Sequence, residues 1–382
     1  MLKKVLIISP SNKGTIALRS QDLYYAFSQR KDLDTTVIYL HKFKDGFDID
    51  GFEYCDLYQE NICNKFMNFL KEIFWLRRIK KQLRPDVVIS TLTACSVCNI
   101  ISKGDDEKIG LFRAPYEQKT AGSNAIVRML HHVLYHKLDY LVGVSEEVTN
   151  SMKRNFPRIA QNKFVTIYNA FFDEDIKNKA KEDIDVKDSL AFKRPVILSV
   201  GRIKWLKAPD RLIKSFAQSE LRNKCNLVFI GPDTDKIVDD LKKIAIDLCV
   251  NDRVFFIGPK ANPYCYMKQA ALFVSSSKTE GLPGVLIESL LVGTPVITSN
   301  SSFGVWEILN CAESYNKDLR GVFEAKDGLI TSNVDDEDVN VKTLTQALNY
   351  YNDYGLATPP FNFKSKITPE GVVDSYMKLF LK

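Results

Sequence analysis

The sequence predicts an α/β protein that consists of two doubly wound, Rossmann-like domains. Short runs rich in valine, isoleucine and aromatic residues alternate along the chain with amphipathic stretches of helical period. The short runs lack the apolar–polar alternation of half-exposed strands, so we expect them to be buried on both faces, as strands of parallel sheets are. This strand–helix rhythm stops once, at the polar segment 173–195, and then begins again.

The same alternation of short apolar runs and amphipathic stretches predicts the order of the strands and helices. In the first half we predict strands over 4–9, 35–40, 86–91, 108–113, 140–145 and 163–169, with helices that include 17–30 and 124–137. In the second half we predict strands over 196–201, 226–231, 253–258, 272–277 and 295–300, and helices over 208–219, 235–249, 264–270, 284–292 and 369–382. With the polar segment as a linker, the predicted domains are 1–180 and 190–365, followed by a C-terminal helical segment over 366–382.

Three predicted strands of the second half end in glycine, at Gly201, Gly231 and Gly258. A residue without a side chain lets a ligand or a tight turn come close to the strand end. Ligands of open α/β sheets bind beyond the carboxyl ends of the strands. Two such edges that face each other would enclose a cleft, which is the predicted binding site.

Composition and charge exclude several classes of protein. The 382 residues include 53 basic and 47 acidic ones, and the net charge of +6 is too small to indicate a nucleic-acid partner. No apolar run reaches the roughly 18 residues of a transmembrane helix. The short apolar run at the N-terminus is better explained as a first strand than as a signal peptide. We therefore expect a cytoplasmic protein.

The eight cysteines are widely spaced, which is typical of reduced, structural thiols in a long chain. Cys95 and Cys98 form a single CxxC motif. Zinc is not predicted, because the chain offers no second pair and no suitably spaced histidines. A redox role is one interpretation of the motif, and two small residues on a buried helix is the simpler one.

Residues 65–84 carry seven basic residues and one acidic residue, together with apolar residues at helical spacing. A basic amphipathic helix of this kind can lie on an anionic membrane surface. It can equally pack on its own domain and leave a basic face in water. The pattern alone leaves both interpretations open.

Two cations follow the first strand of the second half. Arg202 and Lys207 lie in the loop between the strand that ends at Gly201 and the helix predicted over 208–219. Arginine grips phosphate oxygens in a bidentate manner, and lysine supplies a point charge. The pair therefore suits a phosphorylated ligand, although the nearby Arg211 allows the alternative of a merely solvated basic loop.

A second loop combines backbone amides with two acids. Pro283 fits the first turn of the helix over 284–292, and the amides around Gly281 and Gly284 can bind phosphate there. Glu280 and Glu288 are unfavourable beside phosphate unless they receive hydrogen bonds, which sugar hydroxyls can supply. A ligand with both phosphates and sugars accounts for the whole loop, while either acid alone could simply complement the helix dipole.

These motifs together resemble the C-terminal half of the retaining nucleotide-sugar glycosyltransferases of family 4, which have the GT-B fold. The resemblance rests on "VGRIKWLK", on the E-x7-E pair Glu280 and Glu288, on the G-T-P-V strand, and on the turn with Gly304 and Glu307. It is strong over about residues 195–310 and extends weakly through "VGVSEEV" and "IYNAFF" of the first domain. The combination is specific, whereas E-x7-E alone is not.

The resemblance implies roles for the matched residues in the donor site. Arg202 and Lys207 would hold the donor diphosphate and offset charge on the leaving group. Glu280 would contact the transferred sugar, and with these two cations it would form the catalytic set. The amides of Gly281 and Leu282 would lie close by, and Glu288 would bind the ribose diol.

Further positions are implied around the donor. Pro259 and Lys260 would border the base, and Gly14 in the first domain would lie near the diphosphate or the acceptor. The chain departs from the family at Ala208, where many members have glycine, and at Arg113, where many have a histidine. Arg113 is the candidate to contact phosphate or acceptor. The C-terminal helix is implied to cross back to the first domain.

The activity that the resemblance implies is transfer of a hexose-type sugar from a nucleoside diphosphate sugar, with a UDP-sugar preferred, to a glycan or lipid-linked acceptor. Retention would follow from a front-face route without a protein nucleophile, metal or other cofactor. Cell-surface polysaccharide or glycolipid synthesis is the implied setting. The Asp-x-Asp strings are interpreted as chance patterns, with Asp233 the one position near a strand end.

Two other functions fit part of the pattern. Paired carboxylates also serve glycoside hydrolases, but a hydrolase does not need the cations Arg202 and Lys207. A sugar-nucleotide-binding subunit without catalysis would keep the same pocket. Turnover of a nucleoside diphosphate sugar separates both alternatives from a transferase.

Overall fold

The computed structural model describes residues 2–12, 14–42, 53–54, 65–104, 109–114, 133–356 and 361–380. The chain divides into two compact units, one with Met1–Phe172 and Ser365–Lys382, the other with Asp173–Lys364. The first unit thus ends before the boundary at 180 that the sequence predicts, and residues 173–180 belong to the second unit. Part of the helix predicted over 124–137 lies outside the described residues.

The described strands of the first unit form one parallel sheet. They are β1 (Lys3–Ser11), β2 (Leu33–His41), β3 (Glu53–Tyr54), β4 (Val87–Thr91), β5 (Ile109–Ala114), β6 (Tyr140–Gly143) and β7 (Phe164–Thr166). Their order is β3-β2-β1-β4-β5-β6-β7, and every described pair is parallel. The chain therefore winds outward from β1 in both directions, as the sequence predicts.

Helices cover both faces of this sheet. They are α1 (Gly14–Ser28), α2 (Lys65–Leu83), α3 (Leu92–Ile101) and α4 (Glu146–Asn155). Alternate residues of β1 point to opposite faces: Ile7 packs in the core under α1, and Leu6 packs in the core under α2 and α3. Cys95 and Cys98 lie on α3, both buried and outside any disulfide, which confirms their interpretation as small buried helix residues.

The second unit is built around a second, mostly parallel sheet. Its described strands are β8 (Val196–Val200), β9 (Asn226–Ile230), β10 (Val254–Phe256), β11 (Leu272–Ser275), β12 (Val296–Ser299), β13 (Val322–Ala325) and β14 (Gly328–Thr331). The order is β10-β9-β8-β11-β12-β14-β13. The hairpin of β13 and β14 is antiparallel and was not predicted, although its Asp-Gly turn is a recognisable hairpin signal.

The helices of the second unit are α5 (Asp173–Lys179), α6 (Pro209–Gln218), α7 (Val238–Asp247), α8 (Tyr264–Gln269), α9 (Gly284–Leu291), α10 (Phe303–Ile308) and α11 (Glu337–Tyr354). One core packs α6, α7 and α11 against the sheet, through residues such as Phe216, Leu241 and Leu344. Of the remaining helices, α5 precedes β8, while α8, α9 and α10 follow β10, β11 and β12. Each of these strands is joined to the helix after it by a loop at its carboxyl end.

The prediction that 173–195 is a linker is wrong for most of its length. Residues 173–179 form α5, and 186–192 form a 3-10 segment. Three apolar side chains of this stretch, Ile176, Ala180 and Ala191, are buried in the second unit, whereas Val186 and Leu190 are exposed. The carbonyl of Ala191 also accepts a 3.0 Å hydrogen bond from Asn226 Nδ2.

The last helix, α12 (Pro369–Phe380), belongs to the first unit. Tyr376 and Phe380 contact Phe27 of α1 edge-on, with ring centroids 5.5 and 6.1 Å apart. Val372 and Val373 are buried in the same core. The chain therefore returns to its first unit after completing the second. Of the helices that the structure describes, none is both long enough and apolar enough to cross a bilayer.

Candidate active site

A pocket opens at the carboxyl ends of β8, β9 and β11 in the second unit. It is lined by Ser199, Val200, Gly201, Arg202, Ile203, Lys207, Pro209, Phe229, Ile230, Ser275, Ser276, Ser277, Glu280 and Val285. Strands β8 and β11 are neighbours at the point where the winding reverses, since β9 and β10 lie to one side and β12 to β14 to the other. Such a switch point is where open α/β sheets bind ligands.

The loop after β8 brings cations to this pocket. The side chain of Arg202 is exposed and forms no hydrogen bond or ion pair with the residues that the structure describes. Lys204 lies next to it, and burial together with the charges of Arg202 and Lys207 lowers the pKa of Lys204. With Arg202, Lys204 and Lys207 close together in the sequence, the loop concentrates positive charge, which is what an anionic ligand requires.

A salt bridge connects the loop after β8 with the loop after β11. The Nζ of Lys207 contacts the Oε1 of Glu280. The two side chains are 29% and 14% exposed, so the pair is partly shielded from water but still open to a ligand. The predicted phosphate-binding and sugar-binding residues therefore meet in one place.

Backbone contacts fix the spacing of these two loops. The hydroxyl of Ser276 lies 3.0 Å from the carbonyl of Lys207 and 2.8 Å from that of Ala208, to which it donates. The amide of Lys278 donates to the carbonyl of Leu206 at 2.9 Å. Ser276 was not predicted from the sequence, because a hydroxyl that binds backbone leaves no motif.

Arg211 lies behind the pocket and is not a solvated basic residue. It is 2% exposed and donates to both carboxylate oxygens of Glu337, at 2.7 and 2.8 Å. It also donates to Asn333 Oδ1 at 2.9 Å and to the carbonyl of Ser276 at 3.3 Å. Arg211 therefore links α6, α11 and the loop after β11. The sequence signal for the burial of Arg211 was its position on the buried side of α6, one residue before Leu212.

The loop that carries Glu280 is held from the other side by α10. The amide of Glu280 donates to the carbonyl of Ser301 at 3.3 Å, and the hydroxyl of Ser302 donates to the carbonyl of Gly281 at 3.0 Å. A Cβ atom on Gly304 would lie 2.3 Å from the Gly281 oxygen. Glycine at 304 is therefore a packing requirement of this loop.

Glu288 lies in the second turn of α9, which begins at Gly284 directly after Pro283. Its side chain is buried, at 7% exposure, and does not line the pocket with Glu280. Gly281 and Leu282 are half-buried neighbours of the pocket rather than part of its lining. The roles predicted for these three residues stay predictions.

Lys260 forms ion pairs within the second unit. Its side chain is 6% exposed, and its Nζ contacts Asp188 and, at 3.0 Å, Asp185 of the segment before β8. The hydroxyl of Tyr266 donates to Asp188 at 2.7 Å, and burial with this bond raises the pKa of Tyr266 to about 12. Lys260 therefore belongs to an ion cluster with Asp185 and Asp188, while Pro259 beside it is exposed, and the predicted position of both residues beside the base stays a prediction.

The two first-unit candidates are placed only in part. Gly14 begins α1 with a φ of 84°, a conformation that favours glycine, and nothing lies within 4 Å of a Cβ built there. Arg113 lies on β5 in register with Thr91 and Val142, and its side chain lies outside the described part of the structure. Their roles stay predictions.

Asp233 has a structural function. Its carboxylate accepts hydrogen bonds from the amides of Ile237 at 2.9 Å and Val238 at 3.2 Å, at the start of α7. Within the described ranges, no three histidine, cysteine or acidic side chains are grouped as metal ligands would be.

The sequence of the second unit resembles a known protein family. Residues 180–338 match the family model of the glycosyl transferases group 1. The N-acetylgalactosamine-N,N'-diacetylbacillosaminyl-diphospho-undecaprenol 4-alpha-N-acetylgalactosaminyltransferase of Campylobacter jejuni is 33% identical over 186 residues, which are 48% of each chain. This chain therefore aligns with about half the length of that relative.

Solved structures match nearly the whole chain. Anabaena HepE in complex with UDP and glucose has a TM-score of 0.72 at 14% identity, with 99% of both chains covered. The lipopolysaccharide outer core galactosyltransferase WaaB has a TM-score of 0.71 at 15% identity, with 99% of both chains covered. These likenesses confirm the predicted GT-B fold. The residues that match the family model, 180–338, include the pocket at β8, β9 and β11.

Proposed function

We propose that this chain is a glycosyltransferase that moves a hexose-type sugar from a nucleoside diphosphate sugar to a glycan or lipid-linked acceptor and retains the anomeric configuration. The observation that carries the proposal is the convergence of Arg202, Lys207 and Glu280 on one pocket at the switch point of the second sheet. A sugar nucleotide needs cations for its diphosphate and an acceptor of hydroxyl hydrogen bonds within a few ångströms of each other.

The three side chains divide the donor between them. Arg202 is exposed and binds the diphosphate in a bidentate manner. Lys207 has three donors on its ammonium group, so it can bind a phosphate oxygen while it keeps its bond to Glu280 Oε1. Glu280 then offers its second oxygen to hydroxyls of the transferred sugar. Charge that develops on the departing phosphate is stabilised by groups already in place.

The proposed reaction needs no protein nucleophile and no metal ion. The bond from the anomeric carbon to the donor phosphate breaks while the acceptor oxygen forms its bond from the same face. The acceptor proton passes to the departing phosphate oxygen, which keeps the charges balanced. Positioning and charge stabilisation supply the rate enhancement. Glu288 is proposed for the ribose diol, and Gly281 and Leu282 for amide contacts.

UDP is the proposed nucleotide, and the first unit the proposed acceptor domain, with Gly14 and Arg113 as its candidate residues. The structural neighbour HepE binds UDP and glucose, which supports a UDP-sugar donor. The Campylobacter relative acts on a diphospho-undecaprenol-linked glycan, and WaaB belongs to lipopolysaccharide synthesis. These names support a role in cell-surface polysaccharide or glycolipid synthesis.

The test is a screen of donor consumption across UDP- and GDP-sugars, with and without acceptors, by the purified chain. We expect turnover with a subset of donors and a loss of about 100-fold or more in Arg202→Ala and Glu280→Ala. Arg320→Ala and Glu313→Ala remove the same charges from exposed positions and should leave turnover unchanged.

The outcomes separate the alternatives. Full activity in both site variants would contradict the assignment of the pocket. Tight binding of UDP or GDP without turnover of any donor would indicate a non-catalytic subunit instead. Hydrolysis of simple glycosides would indicate a hydrolase, and a product with inverted anomeric configuration, detected by NMR, would contradict retention.

A further inference from the structure

The outward side of α2 combines cations with exposed apolar residues. We define the α2 basic face as Met67, Lys71, Phe74, Arg77, Arg78 and Lys81. Met67 is 51% exposed and Phe74 is 69% exposed, and the arginines and Lys81 are exposed as well. At about 100° per residue, these six positions fall within about 120° of the helix circumference. They therefore form one continuous strip.

The opposite side of α2 is the part that packs. Ile73, Leu76 and Ile79 are buried in the core against the first sheet. The predicted apolar stripe is thus mostly used by the fold itself. Among the stripe's side chains that the structure describes, Phe74 is the exposed one, which leaves its ring available to a partner outside the unit.

Charge is sorted between the two sides of the helix. Glu72, the one acid in the sequence of α2, is 13% exposed and faces His41, with 3.8 Å between Oε1 and Nε2. It also accepts from the thiol of Cys98. Lys80 is buried and donates to the carbonyl of Asn99 at 3.0 Å. No acid of α2 therefore faces outward to offset the exposed cations.

The exposed cations are also without partners among the described residues. The side chains of Arg77, Arg78 and Lys81 make no hydrogen bond or ion pair there. By contrast, the exposed Lys242 and Lys243 of α7 each pair with an aspartate of the same helix, at 3.2 Å. A solvated helix normally intersperses both signs of charge in this way.

We propose that the α2 basic face docks on an anionic lipid bilayer. The phosphates of lipid headgroups complement Lys71, Arg77, Arg78 and Lys81, and each cation near such a surface adds about fivefold to binding. Phe74 enters the boundary between headgroups and acyl chains, where an aromatic ring is favourable. The helix lies parallel to the bilayer and does not cross it. This inference does not depend on the sugar chemistry proposed above.

Co-sedimentation of the full chain with lipid vesicles tests the proposal without any donor or acceptor. We expect binding to vesicles that contain phosphatidylglycerol, no binding to phosphatidylcholine alone, and weaker binding as salt rises. Arg78→Gln with Lys81→Gln should weaken binding about 25-fold, at fivefold per charge. Phe74→Ser should weaken it about tenfold through lost apolar burial.

Matched controls remove the same groups elsewhere. Lys242→Gln with Lys243→Gln removes two exposed charges from the second unit, and Tyr354→Ser removes an aromatic ring that is 77% exposed. Neither should weaken binding measurably, because neither substitution removes a group of the α2 basic face. Thermal unfolding checks that every variant is folded.

Three results would overturn the proposal. The first is no binding to vesicles of either composition. The second is an equal loss of binding in the controls, which would mean that net charge alone attracts the chain. The third is equally tight binding to single-stranded RNA that Phe74→Ser does not change, which would assign the face to nucleic acid. Each result leaves the donor-consumption test of the pocket unaffected.

Discussion

The salt bridge between Lys207 Nζ and Glu280 Oε1 joins the residue proposed for phosphate to the residue proposed for sugar hydroxyls before any donor binds. The two loops that carry them are also connected by Ser276 and by the amide of Lys278. Because the side chains and the backbone are tied together, a ligand meets one assembled unit. Removal of either charged partner should therefore disturb the other.

The first prediction concerns this coupling. Lys207→Ala and Glu280→Ala should each lower kcat/KM for the donor by about 100-fold or more. Residues that act as a unit have non-additive effects, so the double variant should be within about tenfold of the worse single variant. The measurement is initial rates of donor consumption across a donor concentration series.

Lys214 supplies the control for that cycle, because it is a half-buried lysine of α6 paired with Asp210 at 3.1 Å. Lys214→Ala should not change kcat/KM, and its combination with Glu280→Ala should give the effect of Glu280→Ala alone. If the fold losses in kcat/KM of Lys207→Ala and Glu280→Ala multiplied fully in the double variant, the two residues would act independently. That result would refute the coupling.

The second prediction uses two glycines at neighbouring strand ends. Gly201 and Gly231 have nearly the same φ, 150° and 147°, but a Cβ on Gly231 would lie 1.8 Å from the Gly201 oxygen. A Cβ on Gly201 would have nothing within 4 Å. Gly201→Ala should cost about 1–3 kcal/mol of unfolding free energy through backbone strain. Gly231→Ala should cost at least about 2 kcal/mol more, because backbone must also move.

Denaturant unfolding of the two alanine variants measures this difference. Equal losses of stability would show that strain alone matters and that the contact between the strand ends is loose. The sequence correctly marked Gly231 as a point of close approach, while for Gly201 the expectation stays a prediction. At Gly231 the group that approaches is the backbone of the neighbouring strand end, not a ligand.

The fold was predictable because its strands are buried on both faces and its helices are amphipathic, and both properties are local in sequence. The pocket was predictable through Arg202, Lys207 and Glu280, whose spacing is typical of a known family. The ion pairs of Arg211 and Lys260 were not predicted for one reason: each pairs with acids far away in sequence, Glu337 for one and Asp188 for the other. Whether a charged side chain is buried depends on partners that are distant in sequence, and no local pattern reveals them.

The third prediction concerns pH and the Arg211–Glu337 pair. Burial opposes ionisation of Glu337, but the hydrogen bonds and charge of Arg211 outweigh it and lower the pKa of Glu337. A carboxylate with a lowered pKa in the folded state stabilises the protein above its ordinary pKa of 4.5, and this contribution is lost as the pH falls through the lowered value. Acidification should therefore erase the benefit of the pair.

Glu337→Gln tests this by comparison with the unchanged chain. At neutral pH the variant should lose about 2 kcal/mol of unfolding free energy, because a buried arginine then lacks its charged acceptor. The difference should shrink in acid below pH 4.5. Exposed Glu324→Gln is the control and should match the unchanged chain at every pH. A Glu337→Gln loss that did not depend on pH would indicate packing rather than charge.

The last prediction concerns Asp327, in the turn between β13 and β14. The residue is 2% exposed, and no group in the described part of the chain donates a hydrogen bond to either carboxylate oxygen. Burial therefore raises the pKa of Asp327 above its usual 3.8. A carboxyl with a raised folded pKa is least costly when protonated, so stability is full in acid and falls as the pH rises through the raised value.

Asp327→Asn keeps the shape of the side chain and removes the ionisation. We expect it to raise the unfolding free energy by about 1 kcal/mol at neutral pH, with the gain disappearing toward acid. Asp318→Asn removes the same charge from an exposed position and should change stability little at any pH. Denaturant unfolding across a pH series decides the matter: a variant less stable than the unchanged chain at neutral pH would mean that ionised Asp327 has a stabilising partner.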